Sequence, residues 1–122
     1  MSKRVLAVRG AVDVLPGPGE EHSMVESVGR LLDALRDRNN IEVGDIISIQ
    51  FTQTENLRKK NAAAALREHS DAYGSVPLFC AQEPAVDGAP ESIVRVLLTW
   101  YGHAPVQTAY LGKAAALRPD LN

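Results

Sequence analysis

The sequence predicts an α+β fold in which a single mixed β-sheet has two main helices on one face. Short apolar runs typical of strands alternate with two segments whose apolar residues recur every three or four positions, as in helices. The order is strand, helix, strand, helix and then three strands, so both element types share one small domain. A chain of 122 residues suffices for one domain with a core, which we place at 1–122.

The first half of the chain contains two predicted strands and two predicted helices. A strand is expected at 3–9, with Gly10 ending it. A helix follows, because Ser23 and Glu26 have the spacing of a capping box before an apolar stripe. The stripe comprises Met24, Val28, Leu31 and Leu35. "DIISIQF" (45–51) predicts a second strand with Ile47, Ile49 and Phe51 alternating with polar residues, and alanine-rich "RKKNAAAALREH" (58–69) predicts the second helix.

The second half predicts three strands. "SVPLFC" (75–80) is short, and Pro77 indicates a sheet edge or a strand start. "SIVRVLLTWY" (92–101) is the most apolar segment and should be central, whereas "QTAYLG" (107–112) gives a last strand before the tail. Five strands and two helices leave one sheet face poorly covered, so we expect that face to meet another subunit.

Composition excludes several classes of function. The net charge of −2 lacks the basic excess of a nucleic-acid binder, and the apolar stretch 5–8 is too short for a signal peptide or membrane span. The single cysteine forbids an internal disulfide and fits a reducing cytoplasm. The three histidines lack ligand spacing and no glycine-rich phosphate loop occurs, so no metal or cofactor is expected.

Arg95 is the most informative polar residue, because it lies inside the apolar run "IVRVLL". A charge in such surroundings needs a partner, and Glu83 after the third strand could supply one. The pair could simply fix the fold or an interface. Alternatively, Arg95, Arg9 and Tyr110 could bind a carboxylate, which guanidinium groups grip in a bidentate manner. No histidine is placed to activate Cys80, so an anionic ligand fits better than hydrolysis does.

Four segments resemble one family in order and spacing along nearly the whole chain. "VRGAV" (8–12), "CAQE" (80–83), "IVRVLL" (93–98) and "YLGKAAALRPDL" (110–121) are similar to the small mixed α/β chorismate mutases, the AroH class. The resemblance implies a homotrimeric pseudo-α/β-barrel with active sites in clefts between subunits. It also implies the rearrangement of chorismate to prephenate, which leads to phenylalanine and tyrosine, without cofactor or metal.

The resemblance also implies roles for individual residues. Arg95 would face the ether oxygen of the substrate, and Arg9 and Tyr110 would bind a substrate carboxylate. Glu83 and the backbone of Cys80 would hold the ring hydroxyl.

Three further residues are implied at the rim of the cleft. Arg67 would lie at its mouth, and Leu117 and Arg118 in the tail would help to close it.

One stretch departs from the family pattern. The family usually shows Thr-Pro-Asp-Leu, then an aromatic–proline pair and a helical lysine, whereas "TENLRKKNAAAALRE" (54–68) places Asn61 and Ala64 at the aromatic and lysine positions. Two alternatives therefore stay open. One is a related pericyclic enzyme acting on isochorismate or aminodeoxychorismate, and the other is a non-catalytic trimeric metabolite-binding module.

Overall fold

The computed structural model describes residues 2–121, which form one β-sheet and two α-helices. The strands are β1 (Arg4–Asp13), β2 (Ile46–Gln53), β3 (Leu78–Gln82), β4 (Ile93–Gly102) and β5 (Ala109–Tyr110). The helices are α1 (Glu20–Asn39) and α2 (Ala62–His69). Short 3₁₀ segments follow at Val43–Asp45, Asp71–Tyr73, Gly112–Leu117 and Pro119–Leu121.

The five strands form a mixed sheet in the order β3-β2-β4-β1-β5. β4 is the central strand and runs antiparallel to both β1 and β2, whereas β3 is parallel to β2 and β5 is parallel to β1. The predicted α+β class, the mixed sheet and the central position of the most apolar strand are confirmed.

Both helices pack on one face of the sheet. The predicted stripe of α1, from Met24 to Leu35, is fully buried and belongs to the same core as Phe51, Leu98 and Trp100 of the sheet. Each fully buried side chain of this kind stabilises the fold by about 1.5–3 kcal/mol. Successive strand residues point to opposite faces, so Val94, Val96 and Leu98 enter this core and the residues between them face the other side, called here the open face.

Two expectations about where elements begin and end are wrong. β1 continues through Gly10 to Asp13. A Cβ at Gly10 would lie 2.7 Å from the carbonyl oxygen of Ala109, so glycine here allows β5 to approach closely instead of ending the strand. Helix α1 begins at Glu20 after Gly19, and Ser23 is inside it, where its Oγ accepts a hydrogen bond from the Leu15 N–H at 2.9 Å.

The second strand and the second helix also differ from expectation. Ile47 is 44% exposed because the register between β2 and β4 shifts at 46–48, which breaks the simple alternation. α2 begins at Ala62 and not at 58, because Asn61 caps it. The Asn61 side chain accepts hydrogen bonds from the N–H groups of Ala63 (2.8 Å) and Ala64 (3.2 Å).

No helix within residues 2–121 combines the length and the apolar character that crossing a bilayer requires.

We expect Gly10→Ala to lower the free energy of unfolding by about 1–3 kcal/mol, because the added methyl group overpacks the contact with Ala109 and with Leu31, whose Cδ1 would be 3.1 Å away. Denaturant unfolding at fixed protein concentration measures this. Gly44→Ala is the matched control, since nothing lies within 4 Å of its added Cβ. Equal stability of the two variants would contradict the close-approach explanation.

Candidate active site

Arg95 lies on β4 and faces the open side of the sheet. It is paired in register with Ala11 of β1 and Thr52 of β2. Its Nε donates a hydrogen bond to Oε2 of Glu83 at 3.0 Å, and the exposed fractions of the two side chains are 37% and 24%. The ion pair expected from the apolar run therefore exists, and it is half-buried.

Glu83 is held in place from both its main chain and its side chain. It directly follows β3, and its N–H donates to the carbonyl oxygen of Gln53 at 2.8 Å. The hydroxyl of Thr52 donates to Oε1 of Glu83. Arg95 and Thr52 thus hold the two carboxylate oxygens separately, which fixes the orientation of this side chain.

Two cavities meet at Arg95. One, of about 350 Å³, lies on the open face and is lined by Arg9, Phe79, Ala81 and Leu97 among others. The other, of about 290 Å³, lies under the loop 84–91 and includes Glu83. Arg95 lines both. Its guanidinium is therefore neither in a dry core nor in bulk water, and it can contact a small anionic molecule.

Tyr110 is buried on β5, which lies beside β1 at the edge of the sheet. It is paired with Ala11 on β1 and packs in a small apolar cluster with Ile93 and Ala114, against which Leu117 lies partly buried. This cluster holds the C-terminal tail against Ala11, the register partner of Arg95.

The last turn of α1 fixes the segment that leads into β5. Buried Asn39 donates from Nδ2 to the Gln107 carbonyl oxygen (2.8 Å) and accepts from the Gln107 N–H (2.7 Å). Arg38 donates to the carbonyl oxygen of Thr108 at 2.8 Å. These bonds determine where Tyr110 enters the sheet.

The tail is anchored to β1 by Asp13 and Gly112. Asp13 Oδ1 accepts a hydrogen bond from the Lys113 N–H at 2.9 Å, and the Leu111 N–H donates to the Ala11 carbonyl oxygen at 2.9 Å. Gly112 has φ 58°, and a Cβ there would lie 2.1 Å from Asp13 Oδ1. Glycine is therefore required at this turn.

Arg118 makes a two-point contact with Asp120 in the tail. Its Nε and Nη2 donate to the two carboxylate oxygens at 3.2 and 3.0 Å. This hydrogen bonding lowers the pKa of Asp120, and the charge of Arg9 contributes to the same shift. The Arg118 guanidinium is therefore engaged within the tail itself.

The thiol of Cys80 lies on the other side of the sheet from the ion pair. Its Sγ donates to Gln53 Oε1 at 3.2 Å, and the residue packs against the helix-covered core. Burial raises the pKa of the Cys80 thiol, which makes a reactive thiolate less available. The Cys80 thiol therefore does not face the ion pair.

Arg67 is not brought to Arg95 within one chain. It is exposed on α2, whose buried face packs into the helix-covered core, and it lines neither cavity at Arg95. Thr52 is the site residue that the sequence reasoning missed. A threonine in an alternating strand carries no signal of its own, and its role follows only from the register of β2 with β4.

Within residues 2–121, no cluster of three or more histidine, cysteine, aspartate or glutamate side chains is arranged to hold a metal ion.

Comparison with known proteins identifies the family. Residues 5–121 match the family described as Chorismate mutase type I. A solved structure of a chorismate mutase from Clostridium thermocellum is similar, with a TM-score of 0.82 and 30% sequence identity over 91% of this chain and 98% of that chain. Curated protein sequences gave no significant match. The chain belongs to the type I chorismate mutase family.

Proposed function

We propose that this protein is a chorismate mutase that converts chorismate to prephenate at the site built around Arg95 and Glu83. The observation on which this rests is the half-buried Arg95 guanidinium, which Glu83 holds through Nε beside two cavities. Family membership supplies the substrate class, and the geometry is consistent with the roles that the resemblance implies.

The chemistry of the rearrangement fits the groups present. A carbon–oxygen bond breaks while a carbon–carbon bond forms within one molecule, so neither a nucleophile nor a proton acceptor is needed. Catalysis comes from holding the flexible substrate in a compact reactive conformer. It also comes from stabilising the negative charge that develops on the ether oxygen. Arg95 suits this second task, because a guanidinium group combines a positive charge with several N–H donors in a fixed planar geometry.

The other site residues take binding roles in this proposal. Arg9 and Tyr110 bind a substrate carboxylate, and their positions on neighbouring strands of the open face support this. Glu83 accepts a hydrogen bond from the ring hydroxyl, which the backbone of Cys80 also contacts. The orientation of the Cys80 thiol toward the opposite face supports a role for the backbone alone.

The proposal includes a homotrimer with active sites between copies. The open face exposes large apolar side chains, among them Phe79 (63%), Leu97 (39%) and Tyr101 (47%), which a second copy would cover. In this assembly Arg67 reaches the cleft mouth from a neighbouring copy, which accounts for its distance from Arg95 in one chain. The single cysteine suits a cytoplasmic location.

The tail closes over the bound substrate in this proposal. Leu117 packs against the cluster that contains Tyr110, and Arg118 would exchange its partner Asp120 for a substrate carboxylate. The anchor at Gly112 and Asp13 gives the closing segment a fixed base.

Arg95→Ala is expected to reduce kcat/KM for chorismate at least about a hundredfold, as removal of a comparable charge-stabilising donor does. Prephenate formation without added cofactor measures this, and circular dichroism checks the fold. Arg30→Ala on the exposed surface of α1 is the control. Isochorismate and aminodeoxychorismate are assayed alongside. Full activity of Arg95→Ala would refute the mechanism. A preference of the wild-type protein for isochorismate or aminodeoxychorismate would reassign the reaction. No turnover of any of the three substrates by the wild-type protein would favour the metabolite-binding module.

Light scattering is expected to give a mass of about 40 kDa, three times the 13.2 kDa of one chain. Leu97→Asp should lower this mass, because it places a charge in the apolar open face. Leu15→Asp is the control, since Leu15 is 63% exposed in the loop before α1. A monomeric wild-type protein at micromolar concentration would contradict the shared cleft.

Ending the chain at Ala116 is expected to raise KM for chorismate roughly tenfold with a smaller effect on kcat, since the lost contacts act on bound substrate in general. A tenfold change in KM corresponds to about 1.4 kcal/mol of binding free energy, which is slightly less than the burial of one leucine side chain contributes. A chain lacking only Asn122 is the control. An unchanged KM would place the tail outside the site.

A further inference from the structure

Thr52 lines the open-face cavity together with Arg95 and binds Glu83 through its hydroxyl. Its hydroxyl donates to Oε1 of Glu83, while Arg95 Nε donates to Oε2. Thr52 is paired in register with Arg95 on one side and with Ala81 on the other. It therefore lies between the strand that bears the guanidinium and the strand that leads to the carboxylate.

The Thr52 hydroxyl restricts a carboxylate that would otherwise turn. Glu83 lies just beyond the end of β3, and its side chain has several rotatable bonds. An ionised carboxylate only accepts hydrogen bonds and has about four acceptor positions. With one donor on each oxygen, the plane of the carboxylate is set and acceptor positions remain for a ligand hydroxyl.

The orientation of Glu83 in turn sets the orientation of Arg95. Glu83 occupies Nε of the guanidinium, and the terminal nitrogens of Arg95 make no hydrogen bond to other groups in the described part of the chain. These nitrogens can therefore meet a ligand. If the Glu83 carboxylate rotated, the planar Arg95 guanidinium would have to turn to keep the hydrogen bond, because the N–H donors of a guanidinium have a fixed geometry.

We propose that Thr52 is a positioning residue that orients Glu83, and through it Arg95, for the rearrangement. This inference rests on the function proposed above. Thr52 lines the open-face cavity at Arg95, but its hydroxyl is engaged by Glu83 and takes no substrate contact in this proposal. Its contribution is to hold the charged pair in the geometry that the transition state requires.

The test compares Thr52→Val, which keeps the shape and removes the hydroxyl, with Thr52→Ser, which keeps the hydroxyl. We expect kcat for chorismate to fall about tenfold to a hundredfold in Thr52→Val, the range for a hydrogen bond to a charged group, with KM changed less than about threefold. Thr52→Ser should retain kcat within about threefold. Thr99→Val is the control, because Thr99 lies on the same face of β4 as Arg95 and its side chain makes no hydrogen bond to another described residue.

Each outcome decides the question. An unchanged kcat in Thr52→Val would overturn the positioning role. A loss of kcat in Thr52→Ser as large as that in Thr52→Val would also overturn it, because it would show that side-chain packing matters and the hydroxyl does not. A rise in KM without a fall in kcat would also overturn it. Should Thr52→Val not fold, Thr52→Ala takes its place as the variant without a hydroxyl. A wild-type protein without turnover would overturn the proposed function together with this inference, whereas an active wild type with a fully active Thr52→Val would overturn the inference alone.

Discussion

The position of Arg95 on the central strand is the constraint on which the site depends. β4 is antiparallel to both of its neighbours, and its alternate residues enter the helix-covered core. A guanidinium on that face would be buried among apolar side chains at a cost of several kcal/mol. On the open face it has Glu83 as a partner and lines two cavities. The partial exclusion of water there strengthens its electric field.

Two adjacent residues of β2, Thr52 and Gln53, bond to groups on opposite faces of the sheet, one at the candidate site and the other in the helix-covered layer. Thr52 points to the open face and holds Glu83. Gln53 points to the helix face, where its Nε2 donates to the carbonyl oxygens of Leu57 and Lys60 and its Oε1 accepts from the Ala62 N–H. Gln53 thereby fixes the loop before α2, in the stretch where the sequence departs from the family pattern.

Much of the architecture could be predicted from the sequence, because hydrophobic periodicity reports burial directly. The α1 stripe, the central apolar strand and the partner of Arg95 followed from which side chains must leave water. The errors have a different origin. Gly10 looked like a strand end because local propensity carries no information about β5, which approaches it from 99 residues further along the chain.

Long-range strand register explains two further differences between prediction and structure. The shift beside Ile47 depends on the pairing of β2 with β4, and so does the contact of Thr52 with Glu83. Ser23 satisfied the local capping rule yet bonds to the Leu15 N–H outside the helix. Arg67 is exposed on α2 and lines neither cavity at Arg95 within one chain.

Buried Asn39 has a consequence for how this domain can be altered. It is a poor helix former at the end of α1, and a leucine or alanine there would suit the helix itself better. Such a replacement would leave the Gln107 N–H and carbonyl without their partners and free the segment that precedes Tyr110. Thermostabilising redesign of this helix is therefore limited by the segment that leads into β5, and the Asn39 amide is retained at a local cost in helix propensity.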